Sequence, residues 1–121
     1  MERVVHFEIP TEKPESCMEF YKNVFGWKFQ QWGEMEYWLA DTGDEKNMGI
    51  NGAITKKSEL NPYVVNTIGV ENIHSSIEKI KQNGGMILTP VQPIPTMGWF
   101  AYCKDPDGNI IGVMQPDANA K

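Results

Sequence analysis

The side chains in this sequence that could move a proton, hold a metal or attack a carbonyl are few: two histidines, two cysteines and scattered carboxylates. His6 and Glu8 stand two residues apart in the apolar stretch Val4-Val5-His6-Phe7-Glu8-Ile9. In a strand both would point to one face, about 6 to 7 Å apart along the backbone, a spacing that can chelate. Two donors without a third rarely hold a catalytic metal, so Glu8 is expected at the rim of a site, meeting solvent or a basic group. An imidazole titrating near neutrality can also work as an acid-base group unaided by metal, which keeps His6 a catalytic candidate. His74 falls early in a helical pattern and off its apolar face, so it is expected at the surface. Cys17 and Cys103 form no C-x-x-C pair and are expected to be free, buried thiols. There is no Gly-x-Ser-x-Gly elbow, no P-loop and no Gly-x-Gly-x-x-Gly fingerprint, so acyl transfer and nucleotide binding find no support.

Composition narrows the classes further. A chain of 121 residues with 40% hydrophobic and 22% charged residues is of single-domain size and globular composition. A net charge of −5 with only 11 Lys plus Arg opposes a nucleic-acid partner, and Lys56-Lys57 reads as a solvated strand end. No apolar run approaches the roughly 20 residues needed to cross a bilayer, so no membrane partner is expected. The N-terminus lacks the pattern of an export signal, and a cytoplasmic location is expected.

The elements that must position these residues follow from periodicity. Val4 to Ile9 reads as a strand ended by Pro10, and Pro14 suits a first helical position. Cys17, Phe20, Tyr21, Val24 and Phe25 then recur on one helical face before Gly26, which predicts an aromatic stripe packed in the core. Three strands follow, over Trp27–Trp32, Glu36–Ala40 and Gly49–Thr55. After Pro62 the pattern starts again, with a strand over Tyr63–Val70 and a helix bearing Ile73, Ile77 and Ile80 between Asn72 and Gly84-Gly85. Met86–Thr89, Trp99–Lys104 and Asn109–Gln115 supply three more strands, the last two joined by the tight turn Asp105-Pro106-Asp107-Gly108. Pro90–Pro95 is expected to be an extended connector outside any ladder, because of its three prolines. An offset of 60 residues lays Val4-Val5-His6 on Val64-Val65-Asn66 and Ile50–Ile54 on Ile110–Met114, the signature of duplicated architecture.

With these elements in place, the sequence resembles the vicinal-oxygen-chelate superfamily of glyoxalase I, bleomycin-resistance and extradiol-dioxygenase proteins. The resemblance rests on Val4-Val5-His6-Phe7, on Phe20-Tyr21-Lys22-Asn23-Val24-Phe25-Gly26-Trp27 and on Asp105-Pro106-Asp107-Gly108-Asn109, and it covers nearly the whole chain. It implies an α+β fold in one domain over 1–121, with two βαβββ modules (1–56 and 62–115) forming a curved mixed sheet around a central cleft. It also implies metal ligands on the first and last strand of each module, at positions that map to His6, Gly52, Asn66 and Gly112. Glycine has no ligand and an Asn carbonyl is a weak one for Zn, Ni or Fe, so no metal and no other cofactor is expected, with His6 and Glu8 as the remaining donors. Ile50, Ile54, Ile110 and Met114 share parity with the two glycines and are expected to line the cleft, with Trp38 and Trp99 as walls. A small, partly apolar or aromatic ligand is the expected partner, bound by His6, Glu8, Trp38, Gly52, Ile54, Asn66, Trp99, Gly112 and Met114. Leucine at Gly112 would fill that pocket, or, if Gly52 and Gly112 are small because opposing strands approach closely, would overpack the core. The alternative is a glyoxalase-type lyase, epimerase or dioxygenase with an atypical metal site or with His6 as acid-base group.

Short members of this superfamily commonly pair, and the strand over Met86–Thr89 would otherwise leave an open sheet edge. A homodimer is therefore expected. Sedimentation at micromolar concentration should show a species heavier than the 13.7 kDa chain, and a monomer alone would count against pairing.

Overall fold

A computed structural model describes residues 2–121 as an α+β chain of nine strands and two helices. Its residues fall into two compact units, one over His6–Val65 and the other over Asn66–Lys121 together with the residues that precede His6.

In the unit over His6–Val65, strand β1 (Val4–Thr11, entering at His6) leads into helix α1 (Pro14–Phe25), and strands β2 (Lys28–Gln31), β3 (Tyr37–Asp41) and β4 (Gly52–Lys56) follow. The strands lie in the order β2-β3-β4-β1, and β4 runs parallel to β1 with Glu8 beside Ala53 and Ile9 beside Ile54. Helix α1 begins at Pro14, whose missing N–H costs nothing there, and Glu15 in its first turn and Lys22 in its last complement the helix dipole. Gly26 ends it in the left-handed region at φ 76°, where a side chain would be strained, and its N–H meets the Lys22 carbonyl at 2.9 Å.

The aromatic stripe of α1 departs from expectation. No α1 residue is fully buried, and Phe20, Val24 and Phe25 keep 55%, 57% and 61% of their surface exposed. The sheet is reached instead through Tyr21, which stacks on Trp27 at 4.7 Å, and Trp27 lies against Phe7 at 5.7 Å. This relay identifies the face of the sheet that α1 covers. Phe7 and Ile9 of β1 point to it, and so do Gly52 and Ile54 of β4 and Trp38 and Ala40 of β3 by register. His6 and Glu8 point to the other face, beside Ala53, Tyr37 and Leu39.

The second unit repeats the plan with β5 (Val65–Gly69), α2 (Ile73–Gln82), β6 (Met86–Ile87), β7 (Gln92–Ile94), β8 (Gly98–Lys104) and β9 (Ile110–Pro116). Here β9 lies between β5, to which it is parallel, and β8, and both β6 and β7 pair with β8. The Asn72 side chain caps α2 by accepting the Ser75 N–H at 3.1 Å. Ile73 and Ile77 pack on Ala101, Cys103 and Val113, with Ile68, Ile111 and Trp99 at the margin. The proline-rich connector does join the ladder, since Pro93 pairs with Trp99 in β7. Proline is tolerated there because β7 pairs with β8 alone and can turn its donor-free side outward.

The two units repeat at 59 residues, one fewer than the sequence offset, since Glu8 pairs with Ala53 and Thr67 with Gly112. Gly52 is glycine for a local reason: a Cβ there would lie 2.5 Å from both the Phe7 ring and the Phe7 carbonyl oxygen. Gly52→Ala should therefore destabilise the protein by about 1 to 3 kcal/mol in urea denaturation, as overpacking does, and unchanged stability would show that the close approach relaxes freely.

Candidate functional site

The helix-free face of the first unit carries its chemistry. His6 Nε2 lies 2.8 Å from the Tyr37 hydroxyl, a contact that register makes possible because Tyr37 and His6 occupy the same face. The phenol donates to Nε2 when the imidazole proton is on Nδ1, and Nε2–H donates to the phenol oxygen in the other tautomer. Burial of the imidazole lowers the His6 pKa from 6.5, and the nearby Glu8 charge opposes this without reversing it. His6 is thus neutral at pH 7. It can accept a proton or share a hydrogen bond, and it is not a standing cation.

Glu8 is not at a solvated rim. It is 4% exposed, and its Oε1 accepts the Asn61 amide N–H at 2.7 Å. Asn61 is itself buried and arrives from the segment after β4, held by a turn in which its N–H meets the Ser58 carbonyl at 3.2 Å. A buried carboxyl group needs such donors, and Asn61 supplies one from 53 residues away.

The expected site residues divide by face. His6 and Glu8 share the helix-free face of the first unit, whereas Gly52, Ile54 and Trp38 lie on the α1 side. Ile54 is fully buried, and Trp38 borders a hollow of about 430 Å³ with Lys13, Pro14, Glu15 and Ser16 at the start of α1. Ile50 precedes β4 and is exposed. In the second unit Gly112, Met114 and Ile110 point away from α2, beside Val65 and Thr67. Asn66 pairs with Ile111 on the α2 side and is exposed, and Trp99 also lies on that side, its indole N–H bonded to Asp117 at 3.1 Å. The expectation that Gly52 and Gly112 leave open space is corrected as well. A Cβ on Gly112 would sit 2.7 Å from Phe100 and 2.8 Å from the Thr67 hydroxyl, so leucine there would overpack. His74 is exposed as expected, Cys103 is buried with its thiol pushed up to about 11, and Cys17 is only half-buried.

Tyr37 and Asn61 were missed from sequence. The strand parity of Tyr37 was readable once β3 was aligned with β4, but no local signal ties Asn61 to Glu8.

The residues present do not fit the metal site that the fold family implies. On the helix-free faces of the first and last strands stand His6, Glu8, Ala53, Thr55, Val65, Thr67, Ile110, Gly112 and Met114, of which only His6 and Glu8 offer imidazole or carboxylate. Among the described residues no three His, Cys, Asp or Glu side chains gather as a metal-binding group.

Comparison with known proteins agrees with this fold. The family model of the Glyoxalase/Bleomycin resistance protein/Dioxygenase superfamily matches residues 3–113, and the chain belongs to that superfamily. It is 29% identical to a probable lactoylglutathione lyase of Vibrio cholerae, over 93% of this chain and 90% of that protein. A superfamily member from Vibrio splendidus superposes with a TM-score of 0.68 at 14% identity, covering 97% of this chain and 100% of that one. A methylmalonyl-CoA epimerase of Streptomyces coelicolor, in complex with 2-nitronate-propionyl-CoA, superposes with a TM-score of 0.64 at 15% identity, covering 98% and 97%. These two structural likenesses concern the fold. Among the described residues no helix is long and apolar enough to cross a membrane.

The lowered His6 pKa has a thermodynamic consequence. The unfolded chain takes up the His6 proton more readily than the folded one, so the contribution is fully present above pH 6.5 and is lost as pH falls from there toward the folded pKa. An NMR titration should place the His6 midpoint below 6.5, and a midpoint above that value would contradict the burial argument.

Proposed function

We propose that this protein binds a small, partly apolar or aromatic molecule without the metal site of its superfamily, and that the His6–Tyr37 pair supplies the polar contact. The observation that supports this most is the donor set: where metal-using relatives would need three or four ligands, the helix-free faces offer one imidazole and one carboxyl group, and both are already engaged. A neutral His-Tyr pair can turn to meet a carbonyl, hydroxyl or ring nitrogen, since each partner can donate or accept. Glu8 shares the His6 face of the strand and is held there by the Asn61 amide. The resulting reading is of a ligand-binding protein, working in the cytoplasm as a homodimer.

A second reading is favoured by one finding, the 29% identity to a probable lactoylglutathione lyase. In that case His6, neutral and hydrogen-bonded to Tyr37, acts as the acid-base group in a lyase or epimerase reaction.

The two readings part in one set of measurements. A ligand-observed NMR screen of small aromatic compounds against chelator-treated protein should yield binders, and His6→Ala should weaken the best of them by about tenfold, or about 1.4 kcal/mol. One tightly bound Zn, Ni, Fe or Mn per chain after growth with added metals, lost on His6→Ala, would overturn the metal-free reading. Turnover of lactoylglutathione that depends on His6 would establish the enzyme instead.

A further inference from the structure

Thr67 presents a problem that the packing of the second unit does not solve. Its side chain is 1% exposed, and its hydroxyl is the buried side-chain polar atom that finds no hydrogen-bond partner among the described residues. Buried hydroxyls are paired in the great majority of cases, because an unmade hydrogen bond forfeits what water would have supplied. Valine would fill the same volume without that cost.

The surroundings suggest what the hydroxyl serves. Thr67 stands beside Gly112 in the parallel β5/β9 ladder, on the face turned away from α2. The outer end of the Phe100 ring lies over the glycine, so that a Cβ built there would be 2.7 Å from the ring and 2.8 Å from the Thr67 oxygen. Phe100 is only half-buried and meets Tyr102 edge-on at 4.7 Å, so it is not locked in a closed core. Any side chain at position 112 would block the approach to Thr67 that a glycine leaves beneath a movable ring.

We propose that Thr67, Gly112 and Phe100 form a covered subsite for the carbonyl oxygen of a small neutral ligand. When the Phe100 ring turns off Gly112, the Thr67 hydroxyl donates to that oxygen, and the apolar body of the ligand takes the place of the ring beside Tyr102 and Met114. A neutral carbonyl fits better than a carboxylate, because one uncharged donor among aromatic and aliphatic side chains cannot offset the burial of a charge. This deepens the small-molecule reading above and rests on it, naming the ligand class and a polar contact within the second unit.

Acetophenone and ethylbenzene, which share a ring and differ in the carbonyl, are suitable probes, titrated into the protein while the methyl signals of Thr67 and Met114 are followed by NMR. Acetophenone should shift both signals, Thr67→Val should weaken it about tenfold while leaving ethylbenzene unchanged, and Thr67→Ser should restore it. Phe100→Ala should strengthen both probes. Thr67→Val should also melt no lower than the parent, since it removes an unpaired hydroxyl. Binding of acetophenone that is indifferent to Thr67→Val, or no shift at either methyl in both the parent and Phe100→Ala, would overturn the subsite. Compounds from the wider screen that still depend on His6 would then leave the binding reading standing, so the two failures are distinguishable.

Discussion

The parallel pairing of first and last strand within each unit is the constraint from which the rest follows. Parallel strands exchange hydrogen bonds in a fixed register, and side chains alternate between faces, so the pairing of Glu8 with Ala53 and of Thr67 with Gly112 decides what each helix covers and what it leaves open. On the covered side the choices are steric. Phe7 needs a residue without a side chain next to it, and Gly52 supplies it. On the open side the choices are polar, with an imidazole, a phenol and a carboxyl group in one unit and a threonine hydroxyl in the other. A shift of one residue would exchange the two sets and put His6 against α1.

The polar groups on the open face of the first unit are matched within the protein. His6 has Tyr37 and Glu8 has Asn61, at 2.8 and 2.7 Å. Such pairs hold their side chains in one orientation, while burial keeps the imidazole neutral, conditions that suit reversible hydrogen bonding to a ligand. Beside these two groups, the helix-free positions of the neighbouring strand carry Ala53 and Thr55, which offer no imidazole, carboxylate or thiolate.

Much of the architecture was legible in the sequence because it is written in local signals. Pro14, Gly26 and Asn72 mark helix ends by backbone chemistry that does not depend on tertiary context, and all three do so in the structure. The α+β class and the duplicated order of elements followed from them. Faces were harder to read. Aligning His6 with Asn66 was reasonable from Val-Val-His and Val-Val-Asn, yet the repeat is 59 residues, and in a strand one residue is the whole difference between inside and outside. That difference of one residue sets Gly52, Ile54 and Asn66 on the helix side, while Gly112 and Met114 stay on the open face. Trp38 and Trp99 were offered as walls for their bulk alone, and register places both on the helix side of their strands, with the Trp99 N–H bonded to Asp117. Tyr37 could be read only through strand parity, its contact lying 31 residues away, and Asn61 was beyond reach because no local signal ties it to Glu8, 53 residues away in sequence.

The bond between Asn61 and Glu8 has a consequence for how such a chain can be rearranged. The segment between β4 and β5 is not a free tether, since its middle is fastened to the first strand by a buried amide and by the turn at Ser58. Its two halves are therefore unequal as sites for grafting or circular permutation. A new terminus opened before Asn61 would detach the donor that keeps Glu8 satisfied, whereas one opened at the exposed Tyr63-Val64 pair would leave that donor on the unit it serves. The connection thus divides after Asn61, whose amide serves Glu8 of the first strand, and the second strand pattern begins beyond it.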